Sequence, residues 1–211
     1  NNSRLVDSLA DGGSDFGTGL ALLDYEAEKE ADLILQSDGQ VFRTDSTSLF
    51  IVADNGDTLS YLNPIFIDDY AMTCYNRLVG YFPRADYWIV ELTGHEWSSW
   101  QLINGRSGIE QSAISVPAIS PDGKRFLCAY RDLIAAFNYN GIQIWRIERD
   151  SLVLEYEIVD AMCMWGPSDV HWESDTSVAF NMLEVNWDCW EASTRPGFLE
   201  FTGTGTWILN R

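Results

Sequence analysis

Lysine is almost missing from this chain of 211 residues: only Lys29 and Lys124 occur, and all basic residues together number 13 against 32 acidic ones, a formal net charge of −19. A surface so poor in cations cannot release counterions from a phosphate backbone, which argues against DNA and RNA as partners. It has as little to offer an anionic membrane surface. Long apolar runs are missing too. None approaches the roughly 18 residues of a transmembrane helix, so no membrane insertion is expected. An initiating methionine is also lacking. The chain begins Asn1-Asn2-Ser3, and we expect an exported protein, periplasmic or secreted, that has lost a leading segment.

The usual signatures of catalysis are absent from the sequence. It contains no G-x-S-x-G elbow, no H-E-x-x-H, no G-x-x-x-x-G-K and no G-x-G-x-x-G behind a strand. Its two histidines, His95 and His171, stand in no motif, and a lone histidine on a strand is more often structural than catalytic. The four cysteines, Cys74, Cys128, Cys163 and Cys189, form no C-x-x-C pair, which excludes a zinc ribbon or a thioredoxin-like centre. Two disulfides and four buried thiols fit equally well. Asp54-Asn55-Gly56-Asp57-Thr58 lacks the alternating oxygens and closing glutamate of a calcium loop and reads as a hairpin turn. No metal, cofactor or enzymatic activity is expected.

What is present is a globular composition, 46% hydrophobic and 21% charged. Turn signals recur at Ser37-Asp38-Gly39, Asp54-Asn55-Gly56-Asp57, Asn104-Gly105, Pro121-Asp122-Gly123 and Asn140-Gly141. Between them lie short stretches rich in β-branched and aromatic residues, among them Ser48–Val52, Tyr87–Leu92 and Ile142–Ile147. In the last, Ile142, Ile144 and Arg146 share one face and Gln143, Trp145 and Ile147 the other. Strands apolar on both faces belong in layered sheets. Leu20–Leu35 is the exception, because Asp24–Asp32 is made of helix formers; a short helix and a strand both remain open there. The first fifteen or so residues, with Gly12-Gly13, read as a loose arm.

The stretches group into four units within one domain. The first uses Val41–Phe42, Leu49–Ala53 and Leu59–Leu62. The next uses Leu78–Phe82, Tyr87–Leu92 and Ser98–Ile103. A third runs from about Ala113 to Val159 with strands near Phe126–Ala129, Ile134–Asn138, Ile142–Ile147 and Leu152–Ile158. The last takes in Asp169–Trp172, Ser177–Met182, Gly197–Phe201 and Thr206–Leu209. The expected fold is therefore all-β, built from antiparallel blade-like repeats as in a small or partial propeller of about four blades. Within the third unit, Ala118-Ile119-Ser120-Pro121-Asp122-Gly123-Lys124-Arg125-Phe126 resembles the S-P-D-G-K turn of TolB-like and WD40-like β-propeller repeats, and Asn140–Ile147 is similar to a later strand of such blades. That resemblance implies a propeller-type fold acting through protein or small-ligand binding. The Trp-Asp ending is absent, and the turn occurs once.

Charge supplies the candidate site. From Asp150 through Thr194 there is no Lys or Arg, while Asp150, Glu155, Glu157, Asp160, Asp169, Glu173, Asp175, Glu184, Asp188 and Glu191 are acidic. Within this stretch, Trp187, Asp188, Trp190 and Glu191 interleave aromatic groups with carboxylates, a composition suited to gripping a cationic, partly apolar partner. The following Thr194-Arg195-Pro196-Gly197 reads as a loop. The same pattern also fits tryptophans packed beneath a loop with solvated acids around them. The expected function is a binding module for a protein with a basic surface or for a glycan. An acidic inhibitor or immunity-type protein that plugs a basic toxin or enzyme is the alternative, and a glycoside hydrolase using paired carboxylates is the second.

Overall fold

The computed structural model describes residues 19–63, 73–188, 191–203 and 205–210; the arm expected over the first fifteen residues lies outside them. Among the described residues one helix, α1 (Gly19–Gln36), precedes four antiparallel sheets. The first holds β1 (Val41–Asp45), β2 (Ser48–Val52) and β3 (Thr58–Leu62). The second holds β4 (Cys74–Phe82), β5 (Tyr87–Gly94), β6 (Trp97–Asn104) and β7 (Glu110–Ala113). The third holds β8 (Ala118–Ile119), β9 (Arg125–Tyr130), β10 (Asn140–Ile147) and β11 (Leu152–Asp160). The fourth holds β12 (Trp165–Ser174), β13 (Ser177–Asn186), β14 (Glu191–Phe201) and β15 (Trp207–Asn210). Every sheet is an up-and-down meander with its strands in chain order, the blade-like repeat that the sequence pattern predicts.

The chain forms two compact units, an N-terminal one (Asp15–Ala113 with Arg149–Ser151) and a C-terminal one that includes Ile114–Glu148 and Leu152–Arg211. In the N-terminal unit Val41, Leu49 and Ile51 of the first sheet pack with Leu78, Trp88, Val90 and Ile103 of the second. The helix, left open by sequence, adds Leu33 and Ile34 to this core. It also guards an edge. The Leu78 N–H on β4 donates to the Glu30 carboxylate at 2.7 Å, and Arg43, paired with Glu30 at 2.7 Å, donates to the Asn76 carbonyl at 2.9 Å. Side chains thus satisfy main-chain groups that would otherwise invite another strand.

In the C-terminal unit Leu127, Ile142 and Ile144 of the third sheet meet Val178, Phe180, Met182, Leu199 and Trp207 of the fourth. The alternation read on β10 holds: Ile142 and Ile144 enter this core, while Gln143 on the opposite face is buried and donates to Glu157 at 2.7 Å. The Ser120–Lys124 turn joins β8 to β9, as its resemblance implies for a strand connection. Gly123 takes a φ of 73°, and the Ser120 hydroxyl accepts the Arg125 N–H at 2.9 Å.

Two local expectations need correction. Ile134–Asn138 is a loop and not a strand. The Asp132 carboxylate accepts the N–H groups of Ala135, Ala136, Phe137 and Asn138 at 3.1, 3.2, 2.8 and 3.3 Å, which withdraws those donors from any sheet. The fourth strand of that sheet is β8 instead. Conversely, Thr194-Arg195-Pro196-Gly197 lies within β14 and pairs with β13, Pro196 opposite Asn181. Proline is tolerated there because β15 pairs only from Phe198 onward, so β14 is an edge strand at that point.

Candidate partner-binding surface

One end of the C-terminal unit is built from three connections: the β9–β10 loop, the β11–β12 loop and the β13–β14 turn. Side-chain to main-chain bonds lock them together. The Cys163 thiol in the second loop lies 3.6 Å from the Asp132 carbonyl in the first, and Asn140 Nδ2 is 3.5 Å from the same sulfur. From the third connection, Trp187 Nε1 donates to the Cys163 carbonyl at 2.9 Å. Leu133, Cys163, Leu183 and Val185 form a small separate core beneath, with Trp187 and Ala192 packed against it. Burial raises the Cys163 thiol above its ordinary pKa, which favours its neutral form.

Two carboxylates shape the loops by capping. Asp132 holds the first, as described. Asp160 accepts from the N–H groups of Met162, Met164 and Trp165 at 2.8, 2.7 and 3.0 Å and so turns the chain out of β11 into β12. With the backbone satisfied internally, the apolar side chains of these loops are left outside. Met162 is 79% exposed, Tyr139 63%, Ile134 51%, and Phe137 and Met164 48% each. Isolated exposed apolar residues are ordinary, but here five lie together on two adjoining, bonded loops. Beside Met164, an open groove of about 430 Å³ runs along β13 and β14, lined by Trp165, Glu184, Val185 and Glu191 among others.

Of the residues singled out by sequence, Trp187, Asp188 and Glu191 fall on this end. Asn186 pairs with Glu191 across the β13–β14 hairpin, so Trp187 and Asp188 belong to its turn. Asp188 and Glu191 are exposed. Trp187 is half-buried and bonded to Cys163, which makes it part of the support under the surface. Trp190 and Cys189 lie outside the described residues; Cys74, Cys128 and Cys163 are free thiols. The acidic stretch is not wholly uncompensated. Glu155 accepts from Arg125 at 2.7 Å and pairs with Arg146 at 3.0 Å, and Glu184 pairs with Arg195. Arginines flanking the stretch in sequence thus pair with the buried Glu155 and the part-exposed Glu184, while Asp188 and Glu191 are among the acids that face solvent.

Sequence reasoning missed the apolar half of this surface. Ile134 and Phe137 read as strand residues, and Met162 and Met164 carried no signal of their own. The cue that was available is Asp132, whose carboxylate can cap the following N–H groups as an extended Asx turn. Of the other groups considered, His171 is exposed with Nδ1 2.7 Å from the Asp169 carbonyl, and His95 is exposed beside Glu96. Asp54–Asp57 is the β2–β3 turn, closed by Ala53 N–H to the Asp57 carbonyl at 2.9 Å. Among the described residues no three His, Cys, Asp or Glu side chains converge as metal ligands, and no helix is long and apolar enough to cross a membrane. Comparison with protein-family models, curated proteins and solved structures found no match to this chain.

Proposed function

We propose that this chain is a binding protein whose C-terminal unit grips a cationic, partly apolar segment of another protein. The observation that carries this reading is the exposure of Ile134, Phe137, Tyr139, Met162 and Met164 on loops pinned by Asp132, Asp160 and Trp187. An apolar centre with a charged rim is the anatomy of a protein interface. The rim here carries Asp188 and Glu191, so the complementary partner is basic. Two methionines at the centre favour a protein over a glycan, since a flexible thioether side chain moulds itself to apolar groups and offers a sugar hydroxyl little. The net charge of −19 adds long-range attraction for a cation.

The test uses two synthetic helical peptides, one of alternating Lys and Leu blocks and one with every Lys replaced by Glu. Fluorescence anisotropy at low and high salt should give saturable binding of the Lys/Leu peptide that weakens as salt is raised. Equal binding of the two peptides, or none, counts against the reading.

A further inference from the structure

Arg131 stands apart from the other cations of the C-terminal unit. Among the described residues there, Lys124 faces Asp122, Arg125 and Arg146 face Glu155, and Arg195 faces Glu184. Arg131 has no carboxylate within ion-pair distance, and its Nε is buried without a hydrogen-bond partner. In a chain of net charge −19, a half-buried arginine that avoids every carboxylate and keeps one buried nitrogen without a partner needs a reason. The backbone makes room for it: a Cβ on Gly166 would come 2.6 Å from Arg131 Cγ and 3.2 Å from Asn140 Oδ1. Gly166 lets the arginine stem lie against β12.

Arg131 lines a cleft of about 500 Å³ between the segment leading into β8 and the start of β12, a volume suited to a small molecule. Leu127, Ala129, Val116 and Val170 supply apolar wall. Asp169 lines the same cleft. It sits in the left-handed region with φ 52°, at the break in β12 pairing between Ser168 and His171. Asn181 Nδ2 holds its Oδ2 at 2.7 Å. A non-glycine residue kept in that conformation beside an unpartnered arginine is the kind of outlier that accompanies ligand sites.

The two charges select the ligand class. A simple anion would meet Asp169 and the repulsion of the whole chain, and a simple cation would meet Arg131. A molecule carrying both signs satisfies each. We propose that this cleft binds a free amino acid with an apolar side chain, its carboxylate on Arg131, its ammonium toward Asp169 and its side chain against Leu127 and Ala129. The cleft adjoins the loop surface, since Arg131 opens the β9–β10 loop, but its ligand does not depend on that surface's partner.

The experiment is a methyl-detected NMR titration of the whole chain with leucine, valine, isoleucine, methionine and phenylalanine, following Leu127 and Ala129. At least one should shift those signals saturably. Its N-acetyl derivative and its amide, which lack the ammonium and the carboxylate charge, should bind about tenfold or more weakly. In Arg131→Gln the acid and the amide should bind alike, and in Asp169→Asn the free and acetylated amines should. Arg131→Lys keeps the charge should the glutamine variant fail to fold, and it should retain part of the preference for the acid. No saturable shift with any of the five, charge-deleted forms binding as well as the parent, or preferences unchanged in both variants would each overturn the assignment.

Discussion

Trp187 Nε1 donates to the Cys163 carbonyl at 2.9 Å, so a single indole fastens the β13–β14 turn to the β11–β12 loop. The ring also packs against Leu133, Leu183 and Val185. Trp187→Phe keeps most of the packing and strands the carbonyl, which should cost about 1 kcal/mol in urea denaturation. Trp187→Ala removes both and should cost about 2–3 kcal/mol, below the range for a fully buried aromatic because this ring is half-solvated. Equal midpoints for wild type and both variants would show that the turn is not held by this contact.

A second prediction concerns the most buried ion pair. Arg125 and Glu155 have side chains only 10% and 9% exposed and meet at 2.7 Å. Trp207 Nε1 donates to the same carboxylate at 3.1 Å, and the Arg125 guanidinium lies 4.4 Å from the Phe201 ring centroid. Removing one partner leaves the other charge in a poorly solvated place, so Arg125→Ala should destabilise by about 3–5 kcal/mol. Arg146 is 43% exposed and 3.0 Å from the same glutamate. Arg146→Ala should therefore cost about 1 kcal/mol or less. Similar losses in the two variants would place the strength of the network at its surface.

Gly123 and Gly141 separate two reasons for a glycine. At Gly123, φ is 73° and nothing lies within 4 Å of an added Cβ, so only backbone strain opposes a side chain. Gly123→Val should cost about 1–2 kcal/mol. At Gly141 φ is outside the left-handed region, but a Cβ would fall within 2.2 Å of the Ile158 carbonyl oxygen on β11. Backbone cannot step aside cheaply, so even Gly141→Ala should cost more than Gly123→Val, and it should raise hydrogen exchange in β10 and β11. The reverse order would mean that the β10–β11 pair yields at that point.

The repeats were legible because their strands carry local evidence. Leu49 and Ile51 alternate on β2, and Ile142 and Ile144 on β10, between turns with glycine where the chain bends. What failed was decided by groups outside the segment concerned. Ile134–Asn138 has an apolar strand-like composition, and Asp132 overrides it by taking four of its neighbours' N–H groups. Arg195-Pro196-Gly197 has a turn's composition, and it lies in β14 because it pairs with Phe180, Asn181 and Met182 of β13. The acidic half of the proposed surface could be read from one stretch of chain, Trp187–Glu191. Its apolar half comes from two other connections, and contacts such as those of Cys163 bring them alongside.

That division of the surface into an apolar centre and an acidic rim gives the last prediction. Phe137 and Met162 are exposed at 48% and 79%, so Phe137→Ser with Met162→Ser removes few internal contacts and should change stability by less than about 0.5 kcal/mol. If they form the centre of the interface, the double variant should bind the Lys/Leu peptide more than about tenfold more weakly at every salt concentration, chiefly through faster dissociation. Asp188→Asn with Glu191→Gln should act differently. Exposed rim charges steer approach, so this pair should slow association at low salt, flatten its salt dependence and leave dissociation nearly unchanged. Glu173→Gln, an exposed acid on β12 away from the three loops, is the control and should alter neither rate beyond the small effect of one charge. Should the Glu173 variant lose as much association rate as the Asp188 and Glu191 pair, attraction would be a property of the whole acidic chain and not of this end. Should the Phe137 and Met162 variant bind as tightly as wild type, the exposed apolar side chains would have no part in the contact.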